Sequence, residues 1–447
     1  MVTFKKTIFR QALLILLYVM GCQSQDRPVY RAGKQARTVT IQQDASGFSL
    51  YRNGQPYYIR GAGGYTYYDR LKAMGGNSIR VWDTSDADRI LDQANEQGLT
   101  VMLGIWIVRE KEGFNYFSQE AVAQLKERVR KEVLRYRNHP ALLMWCIGNE
   151  IDFGLFNIKA WRVINEIAAI VHELDPNHPT TTTLIDVSPR VVRLLKEECP
   201  HIDLPSINSY RALPFFAENL QQSGWDGPYI VTEFGPPGAW ESEKHTDWNI
   251  PVELTSSQKA EFIKERYTND ILGNASRCLG SYIFFWGQKQ ECTPTWFSLF
   301  TKSGEKTASA DMMQYLWSGQ WPVNRAPHLM SVRLQAADNT PANRLRPGQT
   351  YSAQVLVNDP EGDPLRYYWE VLPESDWRDL DGSVEKEVKP TPVDNVLITN
   401  NNAEIQLTGN LNPGPYRLFV YVYDDKGSVA TANVPFLAEQ VSEPRTR

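Results

Sequence analysis

Histidine is scarce in this chain, six residues in 447, and none is arranged for metal or acyl-transfer chemistry. No His-Glu-x-x-His helix and no Ser-His-Asp order appears. His139, His172, His178 and His201 fall at helix ends or in loops, and His328 lies beyond the region of alternating strands and helices. Zinc hydrolysis and triad chemistry are therefore poorly supported. Cysteine is rarer still, with five residues. Cys146 sits inside an apolar strand, where a thiol behaves as a small hydrophobe. Cys278 and Cys292 flank "GSYIFFWG" and should lie near its opposite ends, poorly placed to bridge. With Cys199 lacking an evident partner, free thiols are expected, and no zinc spacing is present. No glycine-rich phosphate loop follows the first strand, which disfavours a doubly wound sheet, and no basic run is interleaved with aromatics, so a nucleic acid is not an expected partner.

Long apolar runs are absent except at the start. "MVTFKKTIFRQALLILLYVMGCQSQ" places Lys5, Lys6 and Arg10 before a short apolar core, the pattern of an export leader and too short to span as a mature helix. Its end, Val19-Met20-Gly21-Cys22, resembles the lipobox of bacterial lipoproteins. That resemblance implies cleavage after residue 21, a lipid on Cys22, and a membrane partner through that lipid. It also implies a cell-envelope address, at the outer membrane or cell surface or facing the periplasm. An ordinary secretory leader with a chance cysteine is the alternative. Cleavage would remove three positive charges, taking the formal net charge from −5 to −8. Such an acidic surface argues against anionic lipid as a partner.

What is present is alternation. After a polar spacer over 22–38, "TVTIQQDASGFSLYRNGQPYYIRG" reads as a hairpin leading into a strand. Eight apolar strands then recur: "YYIRGAG", "SIRVWD", "TVMLGIWI", "ALLMWCIGNE", "TTTTLID", "LPSINSY", "YIVTEFG" and "SYIFFWG". Between them lie helix-period stretches such as "QEAVAQLKERVRKEVLRYRN" and "KAWRVINEIAAIVHELDP". Their number and spacing predict an α/β fold, a (β/α)8 TIM barrel over 39–322, in preference to a doubly wound sheet. From 323 to 438 helix periodicity vanishes. Turn signals "RPGQT", "DPEGDP", "NLNPGP" and "DDKG" separate alternating strands, predicting a small all-β sandwich of immunoglobulin-like type that supports the barrel and does no chemistry. Residues 439–447 read as a disordered tail. Asp359, Glu361 and Asp363 form either a solvated turn or a calcium site.

Active sites of such barrels lie at the C-terminal ends of the strands. Those ends deliver Arg80, Trp82 and Asp83; Trp106; Asn149 and Glu150; Asn208 and Tyr210; Glu233; and Trp286 with Gln288. Two carboxylates among aromatic faces suit glycosidic bond cleavage, in which one acid protonates the leaving oxygen and a second carboxylate attacks the anomeric carbon. The ordered set "IRVWD", "GNE", "SINSY", "TEFG" and "FFWG" resembles the retaining glycoside hydrolases of clan A, over roughly residues 40–316.

The entry "NGQPYYIRGAG" is similar to family 2 and related barrels. The whole arrangement is similar to bacteroidete lipoprotein endo-β-1,3-glucanases that carry a C-terminal immunoglobulin-like domain and, more distantly, to fungal β-1,3-glucanosyltransferases. The resemblance implies Glu150 as acid/base and Glu233 as nucleophile. It also implies substrate-binding roles for Asn149 on the sugar 2-hydroxyl, Arg80 and Tyr210 beside the nucleophile, and Trp286 flooring the subsite at the cleaved bond. Asn208, Trp82, Trp106, Trp240, Trp248, Trp296 and Tyr65 are rim residues open to either substrate or packing roles. The segment 235–257 is too long for a simple connection and should wall a cleft.

The implied activity is retaining hydrolysis of a β-linked poly- or oligosaccharide, with a β-glucan such as β-1,3-glucan as the leading substrate, no cofactor, and a monomeric enzyme. A glucanosyltransferase with the same residues and a non-catalytic glycan-binding lipoprotein are the alternatives. An intact carboxylate pair disfavours the second.

Overall fold

A computed structural model of the chain describes residues 39–152, 157–185, 187–375, 389–394, 396–399 and 402–440. The leader, Cys22 and the spacer to residue 38 lie outside them, as do 441–447. The chain enters through an antiparallel meander of β1 (Val39–Asp44), β2 (Gly47–Arg52) and β3 (Gln55–Pro56). Val39 and Leu50 of this meander join the barrel-interior residues Ile59, Met102, Met144, Leu204, Ile230 and Tyr282 in one apolar cluster. The backbone N–H of Val39 donates to the carbonyl of Asn177, in the connection before a barrel strand. The meander therefore closes the end of the barrel away from the strand C-termini.

Eight parallel strands follow: β4 (Ile59–Gly63), β5 (Ser78–Val81), β6 (Thr100–Ile105), β7 (Leu142–Ile147), β8 (Thr180–Leu184), β9 (Leu204–Asn208), β10 (Tyr229–Phe234) and β11 (Cys278–Phe284). They pair in chain order, and β11 closes on β4. Every residue of β5 to β11 is buried, because a strand covered on both faces must be apolar or internally satisfied throughout. The threonine-rich β8 shows how: the hydroxyls of Thr180, Thr181 and Thr182 donate to the carbonyls of His201, Leu204 and Ile147. The described cysteines, Cys146, Cys199, Cys278 and Cys292, are all buried.

The helices between the strands follow the apolar period. In the helix Gln119–Tyr136, Val122, Leu125, Val129, Val133 and Tyr136 form the buried stripe, and the Ser118 hydroxyl caps the start by accepting from the Ala121 N–H. In the helix Ile158–Leu174, Asn157 caps in the same way. No helix among the described residues is long and apolar enough to cross a membrane.

The last barrel helix is Ala308–Ser318, and the first strand of the C-terminal unit, β12, is His328–Gln335. The expected junction at 322/323 lies between them. The remaining strands are β13 (Arg344–Leu345), β14 (Thr350–Asn358), β15 (Arg366–Pro373), β16 (Val396–Thr399), β17 (Glu404–Gly409), β18 (Gly414–Tyr423) and β19 (Val429–Ala438). They form two four-stranded sheets, ordered β12-β14-β17-β16 and β13-β19-β18-β15, around a core that includes Trp369, Leu407, Leu418 and Phe436. All pairs are antiparallel except the short β13–β19 pair. The acidic cluster resolves as a turn. Asp359 Oδ1 accepts from the backbone N–H groups of Glu361 and Asp363, Glu361 pairs with Arg325, and Asp363 pairs with Lys426.

Candidate active site

β7 runs Leu-Leu-Met-Trp-Cys-Ile, wholly buried, and the chain must then turn outward. Gly148 makes that turn with φ +76, and a Cβ there would lie 2.5 Å from Ile151. Glu150 follows with φ +52, a left-handed conformation costing roughly 1–2 kcal/mol in a residue with a side chain. The surroundings hold it there. Its Oε1 accepts from Asn208 Nδ2 at 3.0 Å, and its Oε2 lies 4.0 Å from the Arg109 guanidinium. About a quarter of the side chain stays open to solvent.

Glu233 reaches the same space from β10 by a second device. Opposite β9, Val231 pairs with Ile207 but Glu233 pairs with Asn208, so one extra residue, Thr232, is accommodated in β10. The bulge re-aims the side chain that follows it. Three donors converge on the nearly buried Glu233 carboxylate. Arg80 Nη1 donates to Oε1 at 2.6 Å, Trp82 Nε1 to Oε1 at 2.9 Å, and the Tyr210 hydroxyl to Oε2 at 2.9 Å.

The two carboxylates are linked through amides. Arg80 also donates from Nη2 to Asn149 Oδ1 at 2.6 Å, and Asn208 Nδ2, which serves Glu150, reaches the same Asn149 oxygen at 3.2 Å. Thr232 fixes Asn208 by donating to its Oδ1. Arg80, Asn149, Asn208, Tyr210 and Trp82 are thus brought together around Glu150 and Glu233. Trp106 packs on the aromatic cluster of Trp82, Tyr210, Phe284 and Phe285.

Electrostatics separates the two acids. Burial pushes the Glu150 carboxyl above its ordinary range, and the Glu233 charge pushes it further. Asn208, Arg109 and Arg80 pull it back by less. Burial would discourage the Arg80 charge, but Glu233, Cys146 and Glu150 together outweigh this and hold the guanidinium above its usual value. Burial, then Glu233, push the Tyr210 hydroxyl well above the ordinary phenol, so it serves as a donor. A protonatable carboxyl beside an ion-paired carboxylate is the division of labour that acid-assisted displacement at a sugar requires.

Trp286 does not belong to this set. It is fully buried, packs against Phe300 and Trp317, and donates from Nε1 to the Tyr67 carbonyl. Its side chain follows the end of β11, where strand alternation no longer fixes which way it points. Phe284 and Phe285 occupy the aromatic wall in its place, each edge-on to or stacked against Trp82. Trp296 is likewise buried, donating to the Pro237 carbonyl under the Arg417 guanidinium, and Trp248 lies under Arg344. Tyr65 packs between Trp82 and Phe285. Sequence reasoning missed Arg109, Phe284 and Phe285, and also Lys289, whose ammonium lies over the Phe284 ring. The basic residues stand in loops without a motif, and the two phenylalanines were passed over for the tryptophan beside them.

The wall-forming loops are anchored in the sandwich. Glu253, on the segment after β10, is ion-paired to Lys259 and accepts from Thr293, Thr295 and Asn433 of β19. Burial would raise its pKa, but Lys259 and Arg417 outweigh that and hold it low. Arg417 of β18 binds Glu374, Asn433 and the Pro251 carbonyl. The expected cleft wall over 235–257 therefore faces two ways. A cavity of about 500 Å³ lies behind it, against the sandwich, lined by Arg211, Glu243, His245, Trp296, Met330 and Val434 and by neither catalytic candidate.

Residues 68–265 match the family model described as glycosyl hydrolases family 2, TIM barrel domain. A β-glucuronidase of Paenibacillus borealis is 23% identical over 366 residues, 70% of this chain and 57% of its own length. A β-galactosidase of Thermoanaerobacter pseudethanolicus is 29% identical over 162 residues, 32% of this chain and 20% of its own. The chain thus spans little more than half the length of the first of these relatives, and less of the second. Among solved structures, a β-D-glucuronidase of Dictyoglomus thermophilum superposes with a TM-score of 0.50 at 19% identity, covering 64% of this chain and 54% of that one, which is a likeness of fold.

Proposed function

We propose that the protein is a retaining β-glycosidase working by double displacement. The observation that carries this reading is the linked pair: a carboxyl raised by burial and by its neighbour's charge, beside a carboxylate gripped by Arg80, Trp82 and Tyr210. Glu233 attacks the anomeric carbon while Glu150 protonates the departing oxygen. Glu150, now a carboxylate, then takes a proton from the incoming water, whose oxygen displaces Glu233. Arg80, Trp82 and Tyr210 hold the attacking oxygens. Asn208, itself tied to Asn149, holds Glu150, and both asparagines offer amide contacts to the sugar, with the aromatic wall of Trp82, Trp106 and Phe284 around it. This chemistry needs no cofactor.

The substrate is a β-linked glycan. A β-glucan such as β-1,3-glucan is supported only by the sequence resemblance, whereas the relatives' names point to β-glucuronides and β-galactosides. The deciding experiment is a panel of aryl β-glycosides and β-glucans, with the first-formed anomer read by NMR. Turnover with retained configuration is expected, and inverted product refutes the mechanism. For the C-terminal unit we favour the immunoglobulin-like assignment: an A-B-E-D sheet facing an A′-G-F-C sheet would give the order seen, including the parallel A′–G pair. The "VMGC" motif supports a lipid anchor at Cys22, and we take the enzyme to be a monomer.

A further inference from the structure

Of the six tryptophans expected near the rim, three are largely covered: Trp82 is 9% exposed, Trp296 3% and Trp286 0%. Trp240 is 53% exposed and nevertheless built in. It sits in the single turn Ala239–Glu241 after β10, and that turn is pinned by one carboxylate oxygen. Glu241 Oε2 accepts from the Gly238 N–H at 3.0 Å and from the Arg211 N–H at 3.1 Å. The indole lies so close on the Gly238 backbone that a Cβ there would overlap its ring. It also meets two aromatic rings, edge-on to Tyr210 with centroids 6.0 Å apart and tilted against Phe297 at 6.2 Å. Tyr210 in turn donates to Glu233. A large apolar face is therefore held in one orientation, open to water, one side chain away from the carboxylate that would attack the sugar.

Leaving an indole exposed gives up its burial energy, and pinning it removes its freedom. Both are useful where a ligand face completes the contact, because a preorganised surface loses little entropy on binding. The apolar face of a pyranose fits such a surface. We propose that Trp240 is the platform for a second sugar residue, adjacent to the one that carries the cleaved bond, so that the substrate class is a β-linked oligo- or polysaccharide and not a glycoside of a single sugar. This rests on the glycosidase reading and extends it.

The test compares kcat/KM for a 4-nitrophenyl β-glycoside of one sugar with that for the β-linked oligosaccharide of the same sugar. For Trp240→Ala, the ratio of oligosaccharide to aryl glycoside falls about tenfold or more, mainly through KM, and Trp240→Phe restores most of it. Gly238→Ala gives an independent check. Gly238 has φ −62, which any residue adopts, so the added methyl acts by displacing the indole and should reproduce the fall. Equal losses on both substrates would make Trp240 a support for Tyr210 and overturn the proposal, as would an unmoved ratio. A native protein inert on every glycoside would overturn the glycosidase reading and this one with it.

Discussion

Replacing Glu150 with Gln tests the assignment of roles at its most exposed point. The amide keeps the shape of the carboxyl and an oxygen able to accept from Asn208, so the network through Asn149 and Arg80 survives and only the proton is lost. General acid catalysis typically contributes about 10²–10⁴ in rate, or roughly 3–5.5 kcal/mol of barrier at about 1.36 kcal/mol per tenfold. That whole loss should fall on glycosides whose leaving oxygen must be protonated, and little of it on a 2,4-dinitrophenyl glycoside.

Azide then separates the two glutamates. With Glu150→Ala it should attack the glycosyl-enzyme and release the glycosyl azide of retained configuration. With Glu233→Ala it should attack the substrate directly and give the inverted azide. The same Glu150→Gln change should stabilise the protein at neutral pH. Glu150 is raised in the fold above its ordinary 4.5, so its contribution to stability is full below that value and is lost as pH rises through the folded pKa. The melting temperature of Glu150→Gln should therefore exceed that of the native protein at pH 7, with the gain vanishing near pH 4. Native activity of Glu150→Gln on a natural glycan, or exchanged azide configurations, would refute the reasoning.

Arg109→Met removes a positive charge 4.0 Å from Glu150, so the alkaline limb of the kcat/KM profile should move to higher pH, and an unchanged limb would remove Arg109 from the site. Glu253→Gln leaves Lys259 buried without its carboxylate, a loss of about 3–5 kcal/mol visible in thermal unfolding. A chain ending at Pro322 removes Asn433 and Arg417 from the same cluster. It should therefore lose activity even on aryl glycosides, contrary to the expectation of a passive sandwich. Cys22→Ser should free the protein from membranes or leave it unprocessed, and normal retention in the membrane fraction would exclude the anchor.

Eight strands were legible in the sequence because a parallel barrel buries both faces of each, leaving apolar runs such as "LLMWCI" between stretches of helix period. The two glutamates were legible because each closes such a run beside a turn, where an unpaired carboxylate has no structural use. The side chains around them were harder to assign. Strand alternation fixes direction only while the strand is regular, and at Thr232, Gly148 and beyond Phe284 it is not. There a bulge, a left-handed turn and the end of a strand decided that Glu233 and Glu150 share one space and that Trp286 turns into the core. Arg109 and the buried ties of Glu253 to Asn433 join residues far apart in the chain. Their contacts exist only after the barrel closes and the sandwich docks, and no local pattern of residues encodes them.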